Sequence, residues 1–583
     1  MIRKGLTFIA VACLVSVIGL VSCKSDRETS TLSVTIRLPN EPESLHPVFS
    51  KSAYAVQIES LILLPLAEFD PVSMTLSPLL IESIPSTESV TSGPFIHHKK
   101  YNLRIRDEAV WADGKPVTSA DYLFSVKSVY NPYLHLPSYR SFMDFIHGIE
   151  TDPSDPKKIT VYVDSAYILG LESVVNFNIY PSHVYDPEQI MSPFTLEALR
   201  DTATTWTAEQ DTLLKKFATE YESVKYFREV VTGSGPYELE DWVTGEYIRL
   251  KRKENWWGDQ IDNRPLLLHA YPKEITYRII LDAAAAEAAL KAGEIDLMAE
   301  VPAADFVSLQ NDANWKDQFQ FATPPLMQIN YLELNTRDSI LADKRIRQAL
   351  AYSIDYDGIV QNVLKGLASR TTGPIHPGKK YFDSTLPPIH QDINKSLALI
   401  REAGWNDTNG NGIADKMVGG KRHELELSIK ITNKEEGNTI ASIVKENAAK
   451  AGIAIDIEVV DPSQLTQDIK QQRFDLMPLR VPASPNDYDP FPLWHSSSDR
   501  QGGSNRSGFH TAVLDSLIEE IRSAASIEKR DEAYKQFQKV IYDEQPSIYL
   551  YVPLERIIAS KRIELISSSR RPGYFENLLK AAG

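Results

Sequence analysis

The segment from Leu425 to Val481 constrains the fold most tightly, because two periodicities alternate within it. Leu425, Leu427, Ile429 and Ile431 repeat every second residue, the period of a strand with one face in a core. Residues 438–450 are rich in helix formers and stop at Gly452, and Ile453, Ile455, Ile457 and Val459 then alternate again. A second helical stretch over 463–472 leads into the apolar run 474–481. Strand, helix, strand, helix, strand at this spacing is what a parallel sheet covered by helices needs, so at least one lobe is expected to be α/β.

The same reasoning places a strand at Leu32, Val34, Ile36 and Leu38 and another at Ile275, Tyr277 and Ile279. Asp282, followed by Ala283 to Ala292 and Gly293, reads as a capped helix with a glycine stop. Thr118 with Asp121 three residues later predicts a capping box on an amphipathic helix. Residues 84–100, with Pro85, Gly93, Pro94, His97 and His98, read as an exposed loop. A chain of 583 residues is expected to form two or three compact units.

The N-terminus has the form of a targeting signal. Arg3 and Lys4 precede the apolar run Leu6 to Val21, which is too short and wrongly flanked for a permanent span. It ends in Leu20-Val21-Ser22-Cys23, which resembles a bacterial lipobox whose cysteine is lipidated as the signal is removed. This predicts a signal peptide over 1–22, a tether over 23–30 and an extracytoplasmic protein held to a membrane by lipid on Cys23. The other cysteine, Cys13, lies inside the removed segment, so thiol catalysis, a disulfide and a Cys-based metal site are all excluded from the mature chain. A net charge of −16 argues against nucleic acid, which needs a clustered basic surface.

Catalytic patterns are missing. There is no Gly-x-Ser-x-Gly, His-Glu-x-x-His or P-loop, and Gly233-Ser234-Gly235-Pro236 is a turn. No cofactor is implied. Asp407, Asn409, Asn411, Gly412 and Asp415 occupy positions 1, 3, 5, 6 and 9 of an EF-hand-like loop, but Val418 stands where position 12 requires an acid. The segment is either a weak calcium loop or an Asn/Gly turn.

Several blocks in order carry a family resemblance. They include Asn40-Glu41-Pro42-Glu43-Ser44-Leu45-His46-Pro47, Tyr101 to Arg106 with Val110-Trp111-Ala112-Asp113-Gly114-Lys115-Pro116-Val117-Thr118-Ser119-Ala120-Asp121, and Gly233-Ser234-Gly235-Pro236-Tyr237. Trp256-Trp257, Ala292-Gly293-Glu294-Ile295-Asp296, Asp343 to Leu350, Phe474-Asp475-Leu476 and Asp489-Pro490 follow. Together they resemble the extracellular solute-binding proteins of family 5, whose members bind oligopeptides, dipeptides or nickel. The resemblance implies a periplasmic-binding-protein-like α/β fold of class II with two hinged lobes and an inserted extra domain. Lobe I would comprise 31–65, 190–324 and 554–583, the inserted domain 66–189 and lobe II 325–553.

It also implies a monomeric binding protein, not an enzyme, that delivers a peptide or similar solute to the permease subunits of an ATP-driven (ABC) importer. A sugar oligomer, a metal chelate or a sensing role on the same fold stay open. In the peptide binders an aspartate three residues before the Asp-Pro pairs with the ligand amine; here that position is Asn486, with Asp487 next to it. Asp487 either takes the amine or caps a turn. Tyr331 and Trp494 either face the cleft or belong to the core.

Overall fold

The computed structural model describes residues 31–50, 52–165, 167–500, 503–524 and 526–583. The signal segment and the whole tether, Cys23 included, lie outside the described residues. Among those described, no helix is long and apolar enough to cross a membrane.

Two large sheets organise the described chain. The seven-stranded sheet centres on Ser33–Leu38, which pairs in parallel with Glu274–Ile279 in the register Ile36↔Tyr277. The alternation read from the sequence is the core pattern, with Val34, Ile36, Ile275 and Tyr277 all buried. Asp296 fastens the sheet across the chain. Its carboxylate accepts the backbone N–H of Thr35 at 2.7 Å and pairs with Arg562. Asp282 caps helix Ala283–Lys291 through the N–H of Ala285 at 2.7 Å, and Gly293 leaves the helix with a φ of 74°.

The six-stranded sheet contains the segment that fixes the fold class. Strand Glu426–Ile431, helix Glu435–Lys450, strand Ala454–Val459, helix Pro462–Lys470 and strand Leu476–Pro482 follow one another. The first helix begins three residues before the expected start, where Glu435 and Glu436 complement its dipole. The chain passes between the two sheets over residues 323–327 and again over 554–556.

A four-stranded sheet stands apart from both, in the order Thr87–Ser89, Lys99–Arg104, Asp155–Val163, Ile146–Asp152. The loop expected over 84–100 is therefore partly a hairpin. Thr87–Ser89 pairs with Lys99–Tyr101, and Phe95 stacks on Tyr162 at 4.2 Å between ring centroids. A three-residue polar strand leaves too short an alternation to read in sequence.

Asp121 ties the helix of this region to its surroundings. Its Oδ2 accepts the N–H of Thr118 at 2.9 Å and the Trp111 indole N–H at 3.3 Å, while Oδ1 accepts the N–H and hydroxyl of Ser182 at 3.0 and 2.8 Å. Asp121→Ala strands these buried and half-buried donors, so unfolding in urea should show a loss of about 3 kcal/mol. A loss under about 0.5 kcal/mol, the scale of an ordinary surface change, would refute this role.

Candidate functional site: a cleft of two chambers

The site is built around two short braced segments. Helix Ala53–Ile62 starts at Ser52, whose hydroxyl accepts the N–H groups of Tyr54 and Ala55 at 3.1 and 3.2 Å. Its end is gripped by the Gly233-Ser234-Gly235-Pro236 turn. The Gly235 N–H donates to the Ile62 carbonyl at 2.8 Å, and a Cβ on Gly235 would lie 2.5 Å from the Leu61 carbonyl oxygen. Both indoles of Trp256 and Trp257 donate to the Ser234 carbonyl, each at 2.8 Å. The glycines are thus required by close backbone approach.

This helix forms one wall of a chamber of about 400 Å³. The C-terminal segment Arg570–Pro572 with Phe575 and Glu576 supplies another wall, and Pro482 reaches in from the six-stranded sheet. Pro482 also borders a second chamber of about 210 Å³, lined by Ile329, His376, Lys379, Asn486 and Asp487 and closed by Leu169 from the region of the four-stranded sheet. All three sheet-bearing regions therefore meet at one cleft, with strand Leu476–Pro482 running into it.

In the small chamber Asp487 is one-third exposed and pairs with Arg530 at 2.8 Å. The Asn486 carbonyl accepts Lys379 Nζ, which also donates to the Pro485 carbonyl at 2.7 Å. Burial pushes the Lys379 ammonium down to about 8, against the pull of Asp487 and Glu172. Burial likewise raises the carboxyl of Glu172, and Asp487 nearby raises it further. Next in line, Asp489, its side chain 8% exposed, takes Arg522 through both oxygens, at 2.9 and 2.5 Å. The Arg522 guanidinium lies 3.9 Å from the Phe491 ring centroid and 5.5 Å from that of Phe145, bridging to the four-stranded sheet region.

Asn486 and Asp487 are thus brought together in the cleft, whereas the aromatic pair is not. Trp494 is 4% exposed, and its indole N–H donates to the Tyr488 hydroxyl at 2.9 Å. Tyr331 is 5% exposed and stacks against Tyr549 with ring centroids 5.7 Å apart. Both belong to the core beneath the cleft, where large rings bury most area. The 407–415 segment closes on itself. Asp407 accepts the N–H groups of Gly410 and Gly412 at 2.7 and 3.0 Å, and Asp415 accepts the Thr408 hydroxyl at 2.6 Å. The amides of Asn409 and Asn411 donate to Glu424.

Sequence reasoning missed Lys379, Glu172 and Arg530 around the small chamber and Tyr54, Glu300, Glu555 and Arg571 around the large one. They come from widely separated segments of the chain, and no local pattern marks them.

The comparisons with known proteins agree with this geometry. The model for bacterial extracellular solute-binding proteins, family 5 (middle region), matches residues 80–503, more than half of the chain. The chain belongs to that family. Family 5 is a family of binding proteins and not of enzymes. The oligopeptide-binding protein AppA of Bacillus subtilis is 30% identical over 349 residues, 59% of this chain and 60% of that relative's length. The solved structure of AppA from Bacillus subtilis in complex with a nonapeptide superposes with a TM-score of 0.73 at 22% identity, covering 95% of this chain and 99% of that one. NikA from Brucella suis in complex with Fe(III)-EDTA gives 0.73 at 19% identity, covering 94% and 100%. The shared architecture is the two-lobed α/β fold of family 5.

One buried acid behind the cleft wall gives this family 5 member a pH signature. Glu59, on helix Ala53–Ile62, is 3% exposed with Oε1 unpaired among the described residues, and burial pushes its carboxyl up to about 8. A carboxyl raised on folding contributes stability below its unfolded value of 4.5 that is lost as pH rises through about 8. Glu59→Gln should therefore gain melting temperature relative to the wild type on going from pH 5 to pH 8. A gap that stays constant or shrinks over that range would contradict the assignment.

Proposed function

We propose that this chain is the lipid-anchored receptor of an ABC importer, capturing short peptides between its lobes and presenting them to the permease. Residues 31–65, 190–324 and 554–583 form lobe I, 66–189 the inserted domain and 325–553 lobe II. The crossings at 323–327 and 554–556 act as the hinge. Cys23 carries the lipid, and the receptor works as a monomer outside the cytoplasm. Closure is favoured when the solute touches both lobes, because only the closed state makes both sets of contacts.

One observation carries the peptide reading. Strand Leu476–Pro482 pairs along its whole length with Gln328–Leu334, but on its other edge it meets Glu426–Ile431 only at Ile429↔Leu476. Pro478 and Pro482 sit where such an unpaired edge tolerates them, since proline cannot donate to a ladder. Arg480, two residues from each, shares their orientation and offers its N–H. An extended peptide can add to this edge as a further strand, with its backbone recognised and its side chains left free. Asp487 lies beyond the end of the strand, in reach of the ammonium such a peptide carries. That AppA from Bacillus subtilis was solved in complex with a nonapeptide supports a peptide as the occupant.

Native mass spectra of the full chain released from detergent should show a ladder of masses matching short peptides. A single discrete adduct would contradict the reading. Asp487→Asn should weaken binding of a free-amine peptide by about ten-fold, the scale of one charge-assisted hydrogen bond, and leave its N-acetylated form unaffected. Equal losses for both forms would remove Asp487 from amine recognition.

A further inference from the structure

The large chamber is apolar over most of its wall, yet it carries more acid than base. Glu68, Glu300, Glu555 and Glu576 border it, against Arg570 and Arg571. Arg570 is occupied by Glu68 at 3.3 Å and by the Phe69 carbonyl, and Glu576 accepts from Gln57. Glu300, Glu555 and Arg571 are left facing one another. One oxygen of each carboxyl is engaged. Glu300 Oε1 accepts the Tyr54 hydroxyl at 3.0 Å, and Glu555 Oε1 accepts the N–H groups of Glu300 and Arg556 at 3.2 and 2.8 Å. The second oxygens stand 4.0 and 3.9 Å from the Arg571 guanidinium, beyond hydrogen-bond length.

Arg571 is thus the cation within 4.0 Å of both carboxyls and bonds to neither, while Arg37 acts on Glu300 and Arg556 on Glu555 from further off. Glu555 is 4% exposed, so solvent does little to screen it. A solute anion entering here would add a further negative charge beside a low-dielectric wall, whereas a solute cation would bring the group towards neutrality. Leu61, Leu64, Leu79 and Leu267 line the same chamber and suit a hydrocarbon stem.

We propose that the large chamber selects a solute group with an aliphatic stem and a cationic tip, the chemistry of a lysine or arginine side chain. Glu300 and Glu555 receive the tip and the leucines receive the stem. The rest of the solute is placed by the peptide reading above, on which this specificity rests.

The test uses the full chain in detergent and alanine pentapeptides carrying lysine, norleucine or glutamate at each position in turn. At one position lysine should bind about ten-fold tighter than norleucine, the worth of one charge-assisted hydrogen bond, and glutamate weaker than both. Glu300→Gln and Glu555→Gln should each bring the lysine-to-norleucine ratio towards one. Glu300 is one-third exposed, so its variant keeps the test readable if the buried Glu555 variant fails to fold. Thermal shift with hexylammonium, hexanol and hexanoate separates the two claims. If no pentapeptide binds but hexylammonium stabilises the wild type most, and Glu300→Gln abolishes that preference, the peptide reading falls and the cation selectivity stands. Equal affinity for lysine and norleucine at every position, or no preference for hexylammonium where peptides fail, overturns the proposal.

Discussion

Backbone hydrogen bonding along strand Leu476–Pro482 governs how this molecule is put together. The strand enters the six-stranded sheet between Gln328–Leu334 and Glu426–Ile431, and it leaves the second partner almost at once. Asp475 marks the point of departure, because its carboxylate takes the N–H and hydroxyl of Ser428 at 2.8 and 2.9 Å. Beyond it, the outer edge of the strand runs into the cleft. Backbone polar groups need partners wherever water is excluded. An edge that opens onto a closable cleft is therefore stable open only when solvated and stable closed only when something else pairs with it. That condition links solute capture to lobe closure without any catalytic group.

The rest of the cleft holds that strand in relation to distant parts of the chain. Helix Ala53–Ile62 is fixed by the Gly233–Pro236 turn and the paired tryptophans, and across the cleft Glu436 lies 3.6 Å from Arg556 and accepts the Tyr551 hydroxyl at 3.2 Å. Arg522 joins Asp489 to the rings of Phe145 and Tyr167 in the region of the four-stranded sheet. The contacts between the regions of the two large sheets are polar ones such as Glu436 with Arg556, whereas one hydrophobic cluster runs from Leu63, Tyr221 and Trp256 straight into the region of the four-stranded sheet and joins the two. Polar interfaces of the first kind permit relative motion.

The α/β segment was legible because burial on one face writes a period of two or of 3.6 into the residues themselves, as at Leu427, Ile429, Ile455 and Ile457. Asp121 and Asp282 were legible for a similar reason, since helix caps are local. The chambers were not, because Tyr54, Glu300, Glu555 and Arg571 meet only after both crossings between sheets have formed. Asn486 and Asp487 came from family resemblance alone. Tyr331 and Trp494 went to the core, since ring size draws aromatics into buried positions whatever segment they occupy.

The most direct measurement is a crystal structure of the full chain with the solute it retains through gentle purification. An extended peptide backbone should lie hydrogen-bonded to the outer edge of residues 478–482, with its ammonium at the distance of an ordinary charge-assisted bond from Asp487, about 2.8 Å. A solute seated elsewhere, or one that leaves the Arg480 N–H to water, would contradict this reading.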